Sequence, residues 1–208
     1  MKKIKYLCLT LVLSFLLTIP AFASQPHFSD VTDRAACAEA VTYLAENAIV
    51  NGTGNNCFQP NTKITVSQWA AMLCRAFGTP ETGSTWAERS IQQACHAGWL
   101  NVTALQTPND RVCRAVLYES AFAAAMIPVY DSVLYGGVTE MDAGATKDVL
   151  AQFGDYRSVA NWAKESLAFC YYTNILDQSA LKIEPTKAIL RCEIAQMLYN
   201  MLVIAELI

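Results

Sequence analysis

FQPNTKITVSQWAAMLCRAFG, residues 58–78, and IEPTKAILRCEIAQMLYNML, residues 183–202, follow one plan. A proline, Pro60 or Pro185, is followed four positions on by an aliphatic residue, Ile64 or Ile189. A helical run carrying Met-Leu comes next. Pro108 with Val112 makes a third anchor of this kind. Each anchor follows a helical pattern that ends in an apolar pair: Ile49-Val50, Trp99-Leu100 and Ile175-Leu176. From the first residue of each pair to the proline the spacing is 11, 9 and 10 residues. Trp86-Ala87 and Trp162-Ala163 each begin 13 residues before the apolar pair, and Ala36 holds that position in the first copy. A fixed period of this length marks a repeated supersecondary unit, here helix, proline loop, helix.

The periodicity names the faces. Val41, Leu44, Ala48 and Ile49 line one stripe, Trp69, Met72, Leu73 and Ala76 a second, and Ile194, Met197, Leu198 and Met201 a third. Asn51-Gly52 and Gly54 are expected to stop the first helix, and Thr65 to cap the second. One helix pair cannot cover its own stripe, whereas three can cover one another. The expected fold is mostly α, with units at 28–79, 84–127 and 147–205 and an irregular insertion at 128–146.

The 208 residues are apolar enough to build a core. Residues 1–23 have a basic start (Lys2, Lys3, Lys5), an apolar run and Ala21-Phe22-Ala23, the pattern of a cleaved secretory signal peptide. Its removal leaves 12 basic against 18 acidic side chains, a formal charge of −6. A net-acidic surface does not gather nucleic acid. No later stretch is long and apolar enough to span a membrane, so no membrane association is expected after cleavage.

These residues resemble S-layer homology domains. The family's unit opens on Phe and Asp-Val, continues with Trp-Ala, a helix ending in Gly-Ile and Asn-Gly, then Phe-x-Pro and a Thr-Arg-Ala-Glu helix start. The first unit supplies Phe28-Ser29-Asp30-Val31, Ile49-Val50-Asn51-Gly52, Phe58-Gln59-Pro60 and Ile64-Thr65. The second supplies Trp86-Ala87, Ala97-Gly98-Trp99-Leu100 and Arg114-Ala115. The third supplies Lys147-Asp148-Val149, Trp162-Ala163-Lys164-Glu165 and Leu190-Arg191-Cys192-Glu193. The resemblance implies one pseudo-threefold helical unit in a secreted bacterial protein, held non-covalently on secondary cell-wall polysaccharide at the cell surface. Such glycans are often pyruvylated and so anionic.

A guanidinium grips a carboxylate through two parallel hydrogen bonds, and an aromatic face packs on a sugar ring. An arginine at the second helix's start, near a tryptophan of a neighbouring unit, therefore makes a glycan groove. At the arginine position this chain has Val66, Arg114 and Arg191, and at the tryptophan position Ala36, Trp86 and Trp162. Units two and three keep both members, which allows at most two competent grooves. The competing assignment makes the tryptophans core residues and pairs the arginines with Glu119 or Glu193. The alternative function is a protein–protein module whose glycan site has degenerated.

Seven cysteines follow the signal segment. If the helices of a unit run antiparallel, Cys37 meets Cys74, Cys95 meets Cys113, and Cys170 meets Cys192, which leaves Cys57 for an intermolecular disulfide. The alternative is small buried thiols. No CxxC pair suggests a metal knuckle, and no cofactor motif is present. Catalysis is not expected: His27 and His96 are the two histidines, and the neighbours Cys95 and His96 point in different directions on a helix. No nucleophile elbow or metalloprotease helix occurs.

Overall fold

The structure is a computed structural model and describes residues 28–32, 35–110, 141–176, 179, 181–205 and 207–208. Among these residues it holds six α-helices: α1 Ala38–Glu46, α2 Val66–Phe77, α3 Trp86–His96, α4 Ala143–Leu150, α5 Asn161–Tyr172 and α6 Arg191–Ile204. They contain no β-strand, only two isolated bridges, Gly54 to Cys57 and Lys63 to Leu190. The fold is mostly α, as the periodicity requires. None of the described helices is long and apolar enough to cross a membrane.

The first helices α1, α3 and α5 end the same way, at the position that Gly98 holds in the second copy. Ala48, Gly98 and Asn174 take left-handed φ values of 56°, 76° and 60°. The next two N–H groups then turn back: Ile49 and Val50 donate to the Leu44 carbonyl, and Trp99 and Leu100 to that of Ala94. In the third unit Leu176 donates to Cys170. This left-handed exit satisfies otherwise orphaned carbonyls and aims the apolar pair into the core. Ile49, Val50, Trp99, Leu100 and Ile175 are all buried. Ala48, expected on the apolar stripe, instead makes the exit and is exposed. Gly52 does not stop the helix either. A Cβ there would lie 2.7 Å from the Phe28 ring and 2.9 Å from the Cys57 carbonyl, so glycine is needed for close approach.

The second helices begin as expected. Thr65 accepts the Gln68 N–H while its own N–H donates to the Gln68 side chain, a complete capping box. In the third unit Leu190 has no hydroxyl, and only the Glu193 half survives, at 2.9 Å. Trp69, Met72 and Leu73 are buried, as are Ile194, Met197, Leu198 and Met201.

The packing partners differ from the antiparallel hairpins expected within each unit. The second helix of one unit lies on the first helix of another: α2 on α3, and α6 on α1. Both pairs run parallel. Contacts step from Cys74–Ser90 to Thr79–Gln93 along one pair, and from Cys37–Cys192 to Tyr43–Tyr199 along the other. The loops interlock with the same register. Arg191 N–H donates to the Thr62 carbonyl and Cys192 N–H to Pro60, both at 2.9 Å. At the matching positions, Val66 N–H donates to Asp110 and Ser67 N–H to Pro108, both at 3.0 Å. The start of α6 thus docks on the Pro60 loop as the start of α2 docks on the Pro108 loop.

Two details of the expected organisation change. Asp155 makes the hydrogen bonds that Asp30 makes, and Lys147-Asp148-Val149, expected to open the third unit, lies inside α4. The end of the stretch expected to be irregular is helical: Asp142 caps α4 by accepting the Ala145 N–H at 2.8 Å. Residues 128–140 lie outside the described residues.

Candidate functional site

Two carboxylates hold the loops that carry the candidate residues. Asp30 accepts the N–H groups of Phe58 and Gln59, each at 2.7 Å, and Asp155 accepts those of Ile183 and Glu184, each at 2.8 Å. Gln59 and Glu184 are both left-handed, with φ of 59° and 50°. Such backbone costs about 1 kcal/mol at a non-glycine residue, and paired charge-assisted hydrogen bonds offset it. Burial pushes both carboxyls up, but the backbone donors prevail and hold them below the ordinary aspartate value. Each loop thereby places one apolar residue, Phe58 or Ile183, in full burial.

Arg191 stands at the first turn of α6 and reaches across the joint into the first unit. Nε donates to the Phe58 carbonyl and Nη2 to the Asn51 carbonyl, both at 2.8 Å, and the guanidinium lies 4.5 Å from the Phe58 ring centroid. The residue is 4% exposed. Burial lowers its pKa, and the charge of Asp30 acts against that. Two carbonyls and an aromatic face are what a desolvated guanidinium needs. Among the described residues Arg191 therefore ties two units together.

The next residue completes the tie. Cys192 forms a disulfide with Cys37, with Cα atoms 5.7 Å apart and a sequence separation of 155. This replaces both the Cys37–Cys74 and the Cys170–Cys192 pairings expected within units. The cause is the cross-unit packing of α1 on α6. Cys74 faces α3 instead, with its thiol on the Ser90 carbonyl at 3.5 Å. Cys74 and Cys170 are free and buried, and burial pushes their thiols up to about 11 and about 12. Cys95 is also free and donates to the Asn101 carbonyl, while Cys113 lies outside the described residues. Cys57 is half-buried, its thiol on the Asn55 carbonyl at 3.4 Å. A signal for the true bridge was present: Cys37 follows the tryptophan position of unit one and Cys192 follows the arginine position of unit three.

Because units meet across joints, arginine and tryptophan positions must be matched between units. Arg191 faces unit one, whose tryptophan position is the exposed Ala36. At the other joint α2 starts with the buried Val66 and α3 with the half-buried Trp86. Trp162, at the start of α5, is 52% exposed. Arg114 lies outside the described residues. His96 is exposed at the end of α3.

Residues 27–65 match the S-layer homology domain family. Two curated proteins are similar over most of this chain. The exoglucanase XynX of Acetivibrio thermocellus is 24% identical over 188 residues, 84% of this chain and 16% of its own length. The amylopullulanase of Thermoanaerobacterium thermosulfurigenes is 25% identical over 196 residues, 88% of this chain and 10% of its own length. The chain thus spans no more than a sixth of these relatives. The match lies on the stretch whose loop Asp30 holds and whose carbonyls Arg191 grips, so residues 27–65 are similar to an S-layer homology domain.

Proposed function

We propose that this protein attaches to the bacterial cell surface by holding secondary cell-wall polysaccharide non-covalently, through three S-layer homology units acting as one pseudo-threefold body. The recurring helix exits and the two joints of identical register support the three units. The observation that carries the binding role is Trp162. A tryptophan half open to solvent at a helix start is a large apolar face with no core to fill, which suits the flat side of a sugar ring. By its place in the repeat, Arg114 is the arginine assigned to Trp162 in this reading. Arg191 and Trp86 take no direct part, because their opposite members are Ala36 and Val66. Both relatives are named for catalysis, but the role proposed for this chain is attachment and not turnover.

The test is co-sedimentation of the purified chain with wall sacculi before and after their secondary polysaccharide is stripped. Sedimentation that disappears with the glycan supports the reading. A folded chain that never sediments overturns it in favour of a protein–protein module, the reading that the engaged Arg191 and the lost Ala36/Val66 positions favour.

A further inference from the structure

α4 ends at Leu150, ahead of the Asp155 that makes the hydrogen bonds of Asp30. It packs on α5 and shapes with it a cleft of about 490 Å³. Met141, Leu150 and the ring of Tyr156 give the cleft an apolar lining, and Lys147, Lys164 and Asn161 bring polar groups to it. Trp162 is exposed on the same first turn of α5 as Asn161.

Among the described residues two cations, Lys147 and Lys164, line the cleft. Arg157 Nε meets the Tyr156 hydroxyl at 3.5 Å, and its guanidinium lies 5.8 Å from the ring centroid. The hydrogen bond and charge of Arg157, followed by the charges of Lys147 and Lys164, lower the pKa of that phenol. Arg157 thus lies over the Tyr156 ring, and Lys147 and Lys164 line the same cleft as that ring. Asp142 caps α4 and Asp155 holds the Ile183–Glu184 backbone, and neither lines the cleft. Among the described residues Glu165 is the one carboxylate lining the cleft. Lys164 donates to Asn161 Oδ1 at 2.8 Å, which leaves the Asn161 amide N–H groups to face a ligand.

We infer that the cleft between α4 and α5 is a second saccharide site, built by a helix outside the repeat, and that it takes a carboxylate-bearing sugar with Lys147 and Lys164 on the acid group and Tyr156 against the ring. Neutral sugars gain the ring contact but not the charge pairing. The site adds to the attachment reading and rests on it for its biological ligand, although its chemistry is tested separately.

The experiment titrates the chain with trigalacturonate and with maltotriose, following tryptophan fluorescence and heat. The expected result is binding of the uronate that weakens as salt rises, at least tenfold weaker binding in Lys147→Gln/Lys164→Gln, and little response to maltotriose. Arg157→Gln should weaken binding less. These side chains are exposed or half-buried, so the variants keep the fold, which circular dichroism checks. Equal affinity for the two trisaccharides, or unchanged uronate binding in the double lysine variant, overturns the proposal. Sedimentation of wild type with wall sacculi, run in parallel, separates the readings. If wild type sediments without lysine-dependent uronate binding, the cleft proposal falls and attachment stands. If lysine-dependent uronate binding occurs without sedimentation, the cleft stands and attachment falls.

Discussion

The joint between the third and first units and the joint between the first and second share one backbone and differ in chemistry. In both, the start of a second helix donates two N–H groups to the proline loop of another unit, in the same register. In one, the side chains at that start are a buried arginine and a disulfide cysteine. In the other they are Val66 and Ser67, both buried, facing a helix that opens on Trp86 and Ala87. A repeated frame therefore sets where units meet, and individual side chains decide whether a joint is a seam or a surface. The seam joins α1 to α6, which lie far apart in sequence.

The largest expected effect breaks the seam. Cys37→Ser with Cys192→Ser should lower unfolding stability by about 3–4 kcal/mol, because the bridge spans 155 residues of chain. Urea denaturation checks it: wild type with reductant should coincide with the double variant, and a wild type indifferent to reductant would deny the bridge its role. The comparison is sharpened by copying the bridge to the other joint. Ser67→Cys with Ala87→Cys occupies the matching positions and should oxidise spontaneously, adding about 2–3 kcal/mol. Failure of these two thiols to pair in a folded chain would show that the joints are not equivalent.

Next comes Arg191. Its replacement by alanine removes two hydrogen bonds and the contact with the Phe58 ring, and should cost about 2–3 kcal/mol. Val66→Ala, at the same position of the other joint, should cost about 1 kcal/mol through lost packing. The ordering of the two urea midpoints is the check.

A smaller effect lies in acid. Asp30 and Asp155 have lowered pKa values in the fold, so they contribute stability above the ordinary aspartate value near pH 4. That contribution is lost as pH falls through the folded values. Wild type should therefore exceed Asp30→Asn/Asp155→Asn at pH 7, and the gap should close toward pH 2.5. Both carboxylates are substantially open to solvent, so salt should narrow the gap at neutral pH as well. A gap unchanged by acid would mean that the charge does not matter.

Much of the fold was legible because it is local. Proline anchors, apolar pairs and helical stripes follow from backbone chemistry, and Thr65 announces its own cap. The helix exit was misplaced because glycine in Asn51-Gly52 suggested it, whereas alanine at position 48 pays a modest conformational cost. What was not legible is which buried face meets which. A stripe such as Val41-Leu44 requires a cover without naming it, and the cover proved to be α6, far along the chain. The cysteine pairing failed for that reason alone. Asp148-Val149 matches the expected opening of the third unit in sequence, while Asp155, followed by tyrosine, makes the hydrogen bonds that Asp30 makes. The cleft beside α4 had no signature in sequence, since its lysines converge only once α4 lies on α5.

The measurement that tests the account most directly compares Trp162→Ala with Arg191→Ala in co-sedimentation with wall sacculi, with the disulfide intact and folding confirmed for each. Trp162 is exposed, so its loss should change stability by less than about 0.5 kcal/mol. The account predicts that Trp162→Ala stays folded but remains in the supernatant, while Arg191→Ala is less stable yet sediments like wild type. Full sedimentation of Trp162→Ala, or loss of sedimentation in a folded Arg191→Ala, would contradict it.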